Sequence, residues 1–108
     1  YTYTRMPVIT FSSNKMFFHG YKYGPEQNDP TSKYKWYEFD VTADCDIDMN
    51  NKTISLSNIE VSDNLPSHIT LEKGIDYPAV DTYSFEIVNN SYLVFPWQDN
   101  NLYYLEKQ

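Results

Sequence analysis

Asp44-x-Asp46-x-Asp48-x-Asn50 is the densest run of oxygen ligands in the sequence, and its spacing matches the first half of a calcium-binding loop. Calcium takes several oxygens at once, and alternate residues of a turning loop can supply them. The second half of the pattern is missing. Met49 stands where the sharp turn needs glycine, and Ser55 stands where a bidentate glutamate would close the shell. In an extended chain, carboxylates two residues apart stand ~7 Å from one another in a row, too far to share an ion. The run is therefore expected to be an acidic face and not a metal site.

Nucleophilic chemistry has little to work with. A cysteine nucleophile needs a histidine beside it. The chain has one cysteine, Cys45, and two histidines, His19 and His68, with nothing in the spacing to bring them together. Cys45 falls among apolar positions, where a thiol acts as a small hydrophobe. The same three residues do not make a zinc site without a fortunate fold. Three glycines in total leave no glycine-rich phosphate loop. Fifteen acids could provide a glycosidase pair, but such enzymes need a long cleft and the chain has 108 residues. The expectation is a non-enzymatic protein without a cofactor.

Charge narrows the partners. Fifteen Asp and Glu oppose eight Lys and Arg, for a net charge of −7. Nucleic-acid backbones and anionic lipid need clustered cations, so neither is expected as a partner. A protein with a basic surface is permitted. No apolar run is long enough to span a bilayer as a helix. One cysteine allows no internal disulfide, so a soluble protein is expected, either cytoplasmic or secreted without cystine. A chain that begins at Tyr1 is expected to have lost an N-terminal segment to processing or to the choice of expressed piece, so the compartment is not read from it.

The elements that carry these residues follow from periodicity. From Tyr37 to Met49 apolar and polar residues alternate without a break. Tyr37, Phe39, Val41, Ala43, Cys45, Ile47 and Met49 would face a core. Glu38, Asp40, Thr42, Asp44, Asp46 and Asp48 would face water. The strand starts near Tyr34, and at ~3.3 Å per residue it would run roughly 50 Å if straight. That length predicts a bend or bulge near Ala43 to Asp46 that divides it in two.

The rest of the chain reads as short strands between turns. Thr2 to Phe11 contains Pro7, which cannot donate to a ladder, so it is an edge strand or two pieces. A turn at Ser12 to Lys15 leads to a strand over Met16 to Tyr23, then a polar loop over Gly24 to Ser32. Asn50-Asn51 reads as a two-residue turn. The returning strand, Thr53 to Ser62, shifts phase between Ile54, Leu56 and Ile59, Val61, which predicts a bulge at Ser57-Asn58. His68 to Glu72 reads as a short strand, followed by a loop over Lys73 to Asp81. The last third is a meander. Thr82 to Val88 presents Tyr83, Phe85 and Ile87 on one face, Ser91 to Trp97 presents Leu93, Phe95 and Trp97, and Leu102 to Glu106 closes it. Turns at Asn89-Asn90 and Asp99 to Asn101 join them. Asn51-Lys52-Thr53 and Asn89-Asn90-Ser91 also match the glycosylation acceptor pattern.

About eight strands joined by short hairpins predict one all-β domain over residues 1–108. An antiparallel barrel is favoured and a β-sandwich is the alternative. Strand count and hairpin order resemble those of small lipocalin-like barrels, in architecture only. The Lys35-Trp36-Tyr37 run looks like the tryptophan of a lipocalin first strand, but it falls in the third expected strand and lacks the preceding glycine.

Eleven tyrosines and two tryptophans exceed what a small core needs, and exposed Tyr and Trp serve recognition. The leading expectation is a protein-binding inhibitor or antagonist of an immunity or phage type, acting by occlusion. Glu38, Asp40, Asp44, Asp46 and Asp48 would steer it to a basic surface, with Trp36, Tyr34 and Tyr103 as anchors. Trp36 falls on the polar side of its strand, where it either faces the partner or packs under the 24–32 loop. The alternative is a barrel that carries an apolar or glycan ligand against Tyr21, Tyr23 and Trp97. It fails if Phe39, Phe85, Ile87, Leu93 and Phe95 fill the interior. A third reading is an accessory domain of a larger surface protein.

Overall fold

The computed structural model describes residues 1–79, 82–98 and 101–107. Among these residues there is no helix, and therefore none long and apolar enough to cross a membrane. Nine antiparallel strands form one sheet that curls into a nearly closed barrel. They are β1 (Thr2–Tyr3), β2 (Val8–Ser12), β3 (Lys15–Pro25), β4 (Tyr34–Asp48), β5 (Thr53–Val61), β6 (Thr82–Ser84), β7 (Glu86–Val88), β8 (Tyr92–Trp97) and β9 (Asn101–Glu106).

The sheet order is β6-β5-β4-β3-β2-β1-β9-β8-β7. Apart from β6 and β7, strands consecutive in the chain lie side by side, and Thr2 opposite Glu106 joins β1 to β9. The two ends of the sheet, β6 and β7, are consecutive in the chain and separated by Phe85 alone. The single strand expected over 82–88 is thus two short ones with different partners: β6 pairs with β5, and β7 pairs with β8. Phe85 turns the corner with its ring buried and its N–H donated to Lys52 O at 2.9 Å. The inward alternation of Tyr83, Phe85 and Ile87 survives the corner, which is why the sequence showed one strand.

Rings fill the barrel. Phe95 meets Phe11 with centroids 5.2 Å apart and Tyr83 at 4.9 Å, so it ties β8 to β2 and to β6 across the interior. Phe18 meets Trp97 edge-on at 5.4 Å, and Tyr3 meets Tyr103 at 5.1 Å. Phe39, Leu93 and Phe95 are fully buried, and Ile87 packs against them.

The long acidic strand is not divided. β4 runs 15 residues without a break, and the molecule is elongated to match it, at 49 × 25 × 23 Å. The expectation of a bend assumed a sphere. The irregularity lies in the partner strand. Thr42 faces Glu60 and Asp44 faces Ser57, so Asn58 and Ile59 of β5 oppose the single residue Ala43. This is a bulge at Asn58-Ile59, one residue on from the expected Ser57-Asn58, with Asn58 at φ 51°. Asn tolerates the left-handed region because its short amide can bond locally, and here Nδ2 donates to Asp44 Oδ2 at 2.7 Å.

Some local expectations change. Thr2 to Phe11 is the two pieces that Pro7 suggests, but both lie mid-sheet. Met49 is 48% exposed, because β4 ends at Asp48 and Met49 opens the turn. That turn is four residues long, with Asp48 opposite Thr53, and the positive φ falls on Lys52 and not on Asn50 or Asn51. Asn89 and Asn90 both have positive φ, as the mirror-image hairpin turn requires. Val80, Asp81, Asp99 and Asn100 lie outside the described residues.

The segment 62–79 holds no strand at His68 to Glu72. Its backbone turns on itself, with Ile69 N donating to Pro66 O and Asp76 N to Glu72 O. Its task is to cover. β4 pairs with β5 only from Val41 onward, and β3 pairs with β2 only up to His19. Gly20–Pro25 and the facing end of β4 therefore project beyond the barrel as a two-stranded arm. Residues 62–79 lie against the inner face of that arm. Lys22 pairs with Asp76 at 3.0 Å, His68 Nε2 lies 2.8 Å from Pro25 O, and Trp97 Nε1 donates to Gly74 O at 2.9 Å. Gly24 allows this closeness, since a Cβ there would stand 2.6 Å from Ile69 Cδ1; Gly20 instead makes room for the Phe18 ring, which a Cβ would meet at 2.8 Å.

Candidate functional site

Among the described residues nothing covers the outer face of the arm. Strand alternation puts His19, Tyr21 and Tyr23 of β3 on that face, and the register sets Tyr21 opposite Glu38 and Tyr23 opposite Trp36 on β4. Trp36 is 64% exposed, Tyr23 52%, Tyr34 44% and Tyr21 37%. The rings touch one another: Tyr23 lies 4.8 Å from Trp36 and 5.3 Å from Tyr34 between centroids. Trp36 therefore does not pack under the 24–32 loop; it leans on Tyr23 and faces solvent.

Polar groups border the rings. Tyr21 OH donates to Glu38 Oε1 at 2.8 Å, which raises the tyrosine pKa above its usual value. His19 Nδ1 lies 2.6 Å from Asp40 Oδ1, and Nε2 lies 3.8 Å from Glu38 Oε1. The histidine stands between the two acids and fixes both beside the aromatic cluster.

The far half of the acidic strip is differently employed. Asp44 is bound by Lys15 Nζ and Asn58 Nδ2, and these hydrogen bonds hold its carboxyl below the usual range, the Asn58 bond first. Asp48 accepts from the N–H groups of Asn50 and Asn51 at 2.9 and 3.0 Å and from Asn51 Nδ2 at 2.8 Å. The Asn51 bonds lead in depressing its pKa. Asp46 alone of the strip is exposed with no partner among the described residues. The strip is thus one charged strand in sequence and two units in space: Glu38 and Asp40 border the aromatics, while Asp44 and Asp48 hold a bulge and a turn. Among the described residues no three His, Cys, Asp or Glu side chains form a metal-holding group. Cys45 is buried on the inner face, and burial pushes its thiol pKa up.

The turn bonds predict an acid limb. A carboxyl whose folded pKa is depressed adds stability above its unfolded value, and that stability is lost as pH falls through the folded one. Asp48→Asn should lower stability at neutral pH and lose less between about pH 5 and pH 2 than the parent chain. Melting curves across that window check this, and an equal acid loss would contradict the capping role.

Tyr103 does not reach the surface. It is 8% exposed, and its hydroxyl donates to Gln98 Oε1 at 2.8 Å, while Tyr104 on the other face is 50% exposed. Adjacent strand residues must point apart, but the sequence does not say which points in. Burial raises the Tyr103 pKa. Gln98 Nε2 donates in turn to Ile75 O at 2.7 Å, so Tyr103 helps to anchor the 62–79 segment.

Trp97 also points inward, to the floor of an open cleft of about 660 Å³ beside the arm. Met6 and Pro7 form one wall, and Phe18, Gly20 and Tyr21 of β3 form another. Asp76, Gln98 and the edge of Trp36 complete it. Tyr21 and Trp97 thus share this space, while Tyr23 stays on the outer face. The interior that a ligand-carrying barrel would need is occupied by Phe39, Phe85, Leu93 and Phe95, so open space lies at the arm and not along the barrel axis. Comparisons with protein-family models, with curated proteins and with solved structures find no match to this chain.

Proposed function

We propose that this protein is a non-enzymatic protein-binding module, an inhibitor or antagonist that occludes a basic surface of its partner. The outer face of the β3–β4 arm is the contact. The carrying observation is the cluster of Trp36, Tyr23, Tyr34 and Tyr21, ring against ring and exposed on a projecting two-stranded arm. A small protein rarely leaves such a cluster in water without use. Trp and Tyr are the residues that carry interface energy, because they bury large rigid areas at low entropic cost. Glu38 and Asp40 lie beside the rings, and the net charge of −7 favours encounter with a basic surface. His19, bonded to Asp40 and 3.8 Å from Glu38, stands between the two acids where a cation from the partner would approach.

Capture from host lysate at low and moderate salt tests this reading when run with matched variants. A basic protein should be retained, less so at moderate salt. Glu38→Gln with Asp40→Asn should lower the association rate and flatten the salt dependence. Retention that ignores salt and both substitutions would refute the charge-guided part of the reading.

A further inference from the structure

The cleft beside β3 lies along a strand edge with unused hydrogen bonds. Ser12 and Lys15 face each other across a two-residue turn, so they exchange both backbone bonds. Every second residue of β3 after Lys15 then points its N–H and C=O toward β2. Phe17 and His19 find β2 there; Tyr21, Tyr23 and Pro25 point the same way past its end at Val8. The other side agrees, since Glu26 N donates to Lys33 O across the arm, which sends residues 20, 22 and 24 to β4. Pro25 has no N–H, and its carbonyl accepts from Tyr37 OH at 3.0 Å. The N–H and C=O of Tyr21 and Tyr23 have no partner on that edge among the described residues. The opposite edge of the arm is capped where it leaves the barrel. Ser62 bonds Asp40 through N and Oγ, and Asn64 Nδ2 donates to Glu38 O.

We infer that this cleft is a strand-addition site, in which an extended peptide of the partner pairs with Tyr21 and Tyr23 and seats one apolar side chain beside Gly20. The inference rests on the protein-binding reading and names what the partner offers. Four backbone groups at a two-residue repeat match an extended chain and no other common shape. An inward-pointing side chain of the added strand would enter the cleft lined by Phe18, Gly20 and Trp97. The polar side chains of the cleft are already engaged: Asp76 by Lys22 and the Glu72 N–H, and Gln98 by Tyr103 and Ile75. A glycan would need those groups, whereas a strand needs the backbone. The acidic surroundings favour Lys or Arg flanking the apolar residue, and such a segment would run directly beside the aromatic outer face.

Random linear peptides displayed on phage are the probe. Selected peptides should alternate polar and apolar residues, with one Leu-, Met- or Phe-sized residue flanked by cations. On adding a selected peptide, the amide NMR signals of Tyr21 and Tyr23 should shift and exchange more slowly with solvent, while that of Lys22, already bonded to β4, barely moves. Tyr23→Pro removes one edge N–H and leaves the β3–β4 ladder intact, since proline is tolerated where the N–H faces outward. It should bind the peptide about tenfold more weakly than Tyr23→Ala, which loses the same ring and keeps the N–H. No enriched peptide, or equal binding by the two variants, overturns the inference. Doubling of the chain's own mass with concentration, lost on Tyr23→Pro, overturns it in favour of a second copy as occupant. Peptides that Trp36→Ala releases and Tyr23→Pro does not would overturn strand addition and leave the outer-face reading standing. Peptides released by Tyr23→Pro alone would support the edge and remove the outer face.

Discussion

Trp36→Ala is expected to weaken partner binding strongly while leaving the melting temperature nearly unchanged. The side chain is 64% exposed and leans on Tyr23 and, through it, Tyr34. Surface substitutions away from caps and cores usually stay within about 0.5 kcal/mol of the parent stability. At an interface the same ring is a central anchor. Truncating such a residue costs on the order of 2–4 kcal/mol of binding, or about 30-fold to several hundred-fold in affinity. The loss should fall mainly on the dissociation rate, since the ring makes no long-range field. Tyr34→Ala, at the rim of the cluster, should cost less. Tyr104→Ala removes an equally exposed ring far along the sequence, and it should leave binding unchanged. If Tyr104→Ala weakened binding and Trp36→Ala did not, the contact would belong to the β8–β9 side of the barrel.

Phe95→Ala should have the largest effect on the fold. The ring is fully buried and joins Phe11 and Tyr83, and so links β8 to two strands that reach it across the barrel. Removing a buried Phe costs about 3–5 kcal/mol, since the surrounding rings refill the space only in part. A protein of this size holds roughly 5–15 kcal/mol in total. The melting temperature should fall by on the order of 15–30 °C. Phe17→Ala, on the outer face of β3 and half-exposed, is the matched control and should change little. A small drop for Phe95→Ala would mean that the interior tolerates empty space, and the ligand-carrying barrel would regain its ground.

Where one residue type decided the local physics, the fold was legible. Unbroken alternation from Tyr37 gave β4 and its inward face as far as Ile47. The phase slip between Leu56 and Ile59 located the β5 bulge, because a period of two admits no other repair. Asn89-Asn90 gave its hairpin turn. Legibility failed where the outcome rests on a distant partner. Nothing local in His68 to Glu72 says that this segment must cover an arm and not pair as a strand. Phe85 keeps the inward alternation through a corner, so β6 and β7 looked like one strand. Tyr103 and Tyr104 are equivalent in sequence, and the neighbouring Gln98, Tyr3 and Trp97 draw the first one inside.

The candidate site was half visible for the same reason. Trp36 on the polar side of an alternating strand was a readable anomaly, and so was the acidic strip. That Tyr21, Tyr23 and Tyr34 join Trp36 depends on the β3–β4 register, which pairs Tyr23 with Trp36. That Asp44 and Asp48 leave the charged surface for structural duty depends on Lys15, Asn58 and the turn at Asn50-Asn51. The free edge at Tyr21 and Tyr23 has no signal in their own side chains. It arises because β2 reaches only to Val8 while β3 continues to Pro25.

Hydrogen exchange of the protein with and without its captured partner locates the contact. Exchange should slow on binding within residues 19–25 and 34–40, with the β8–β9 hairpin and the Asp48 turn unchanged. Protection centred on β8 and β9, with the arm exchanging as in the free protein, would contradict the arm as the contact.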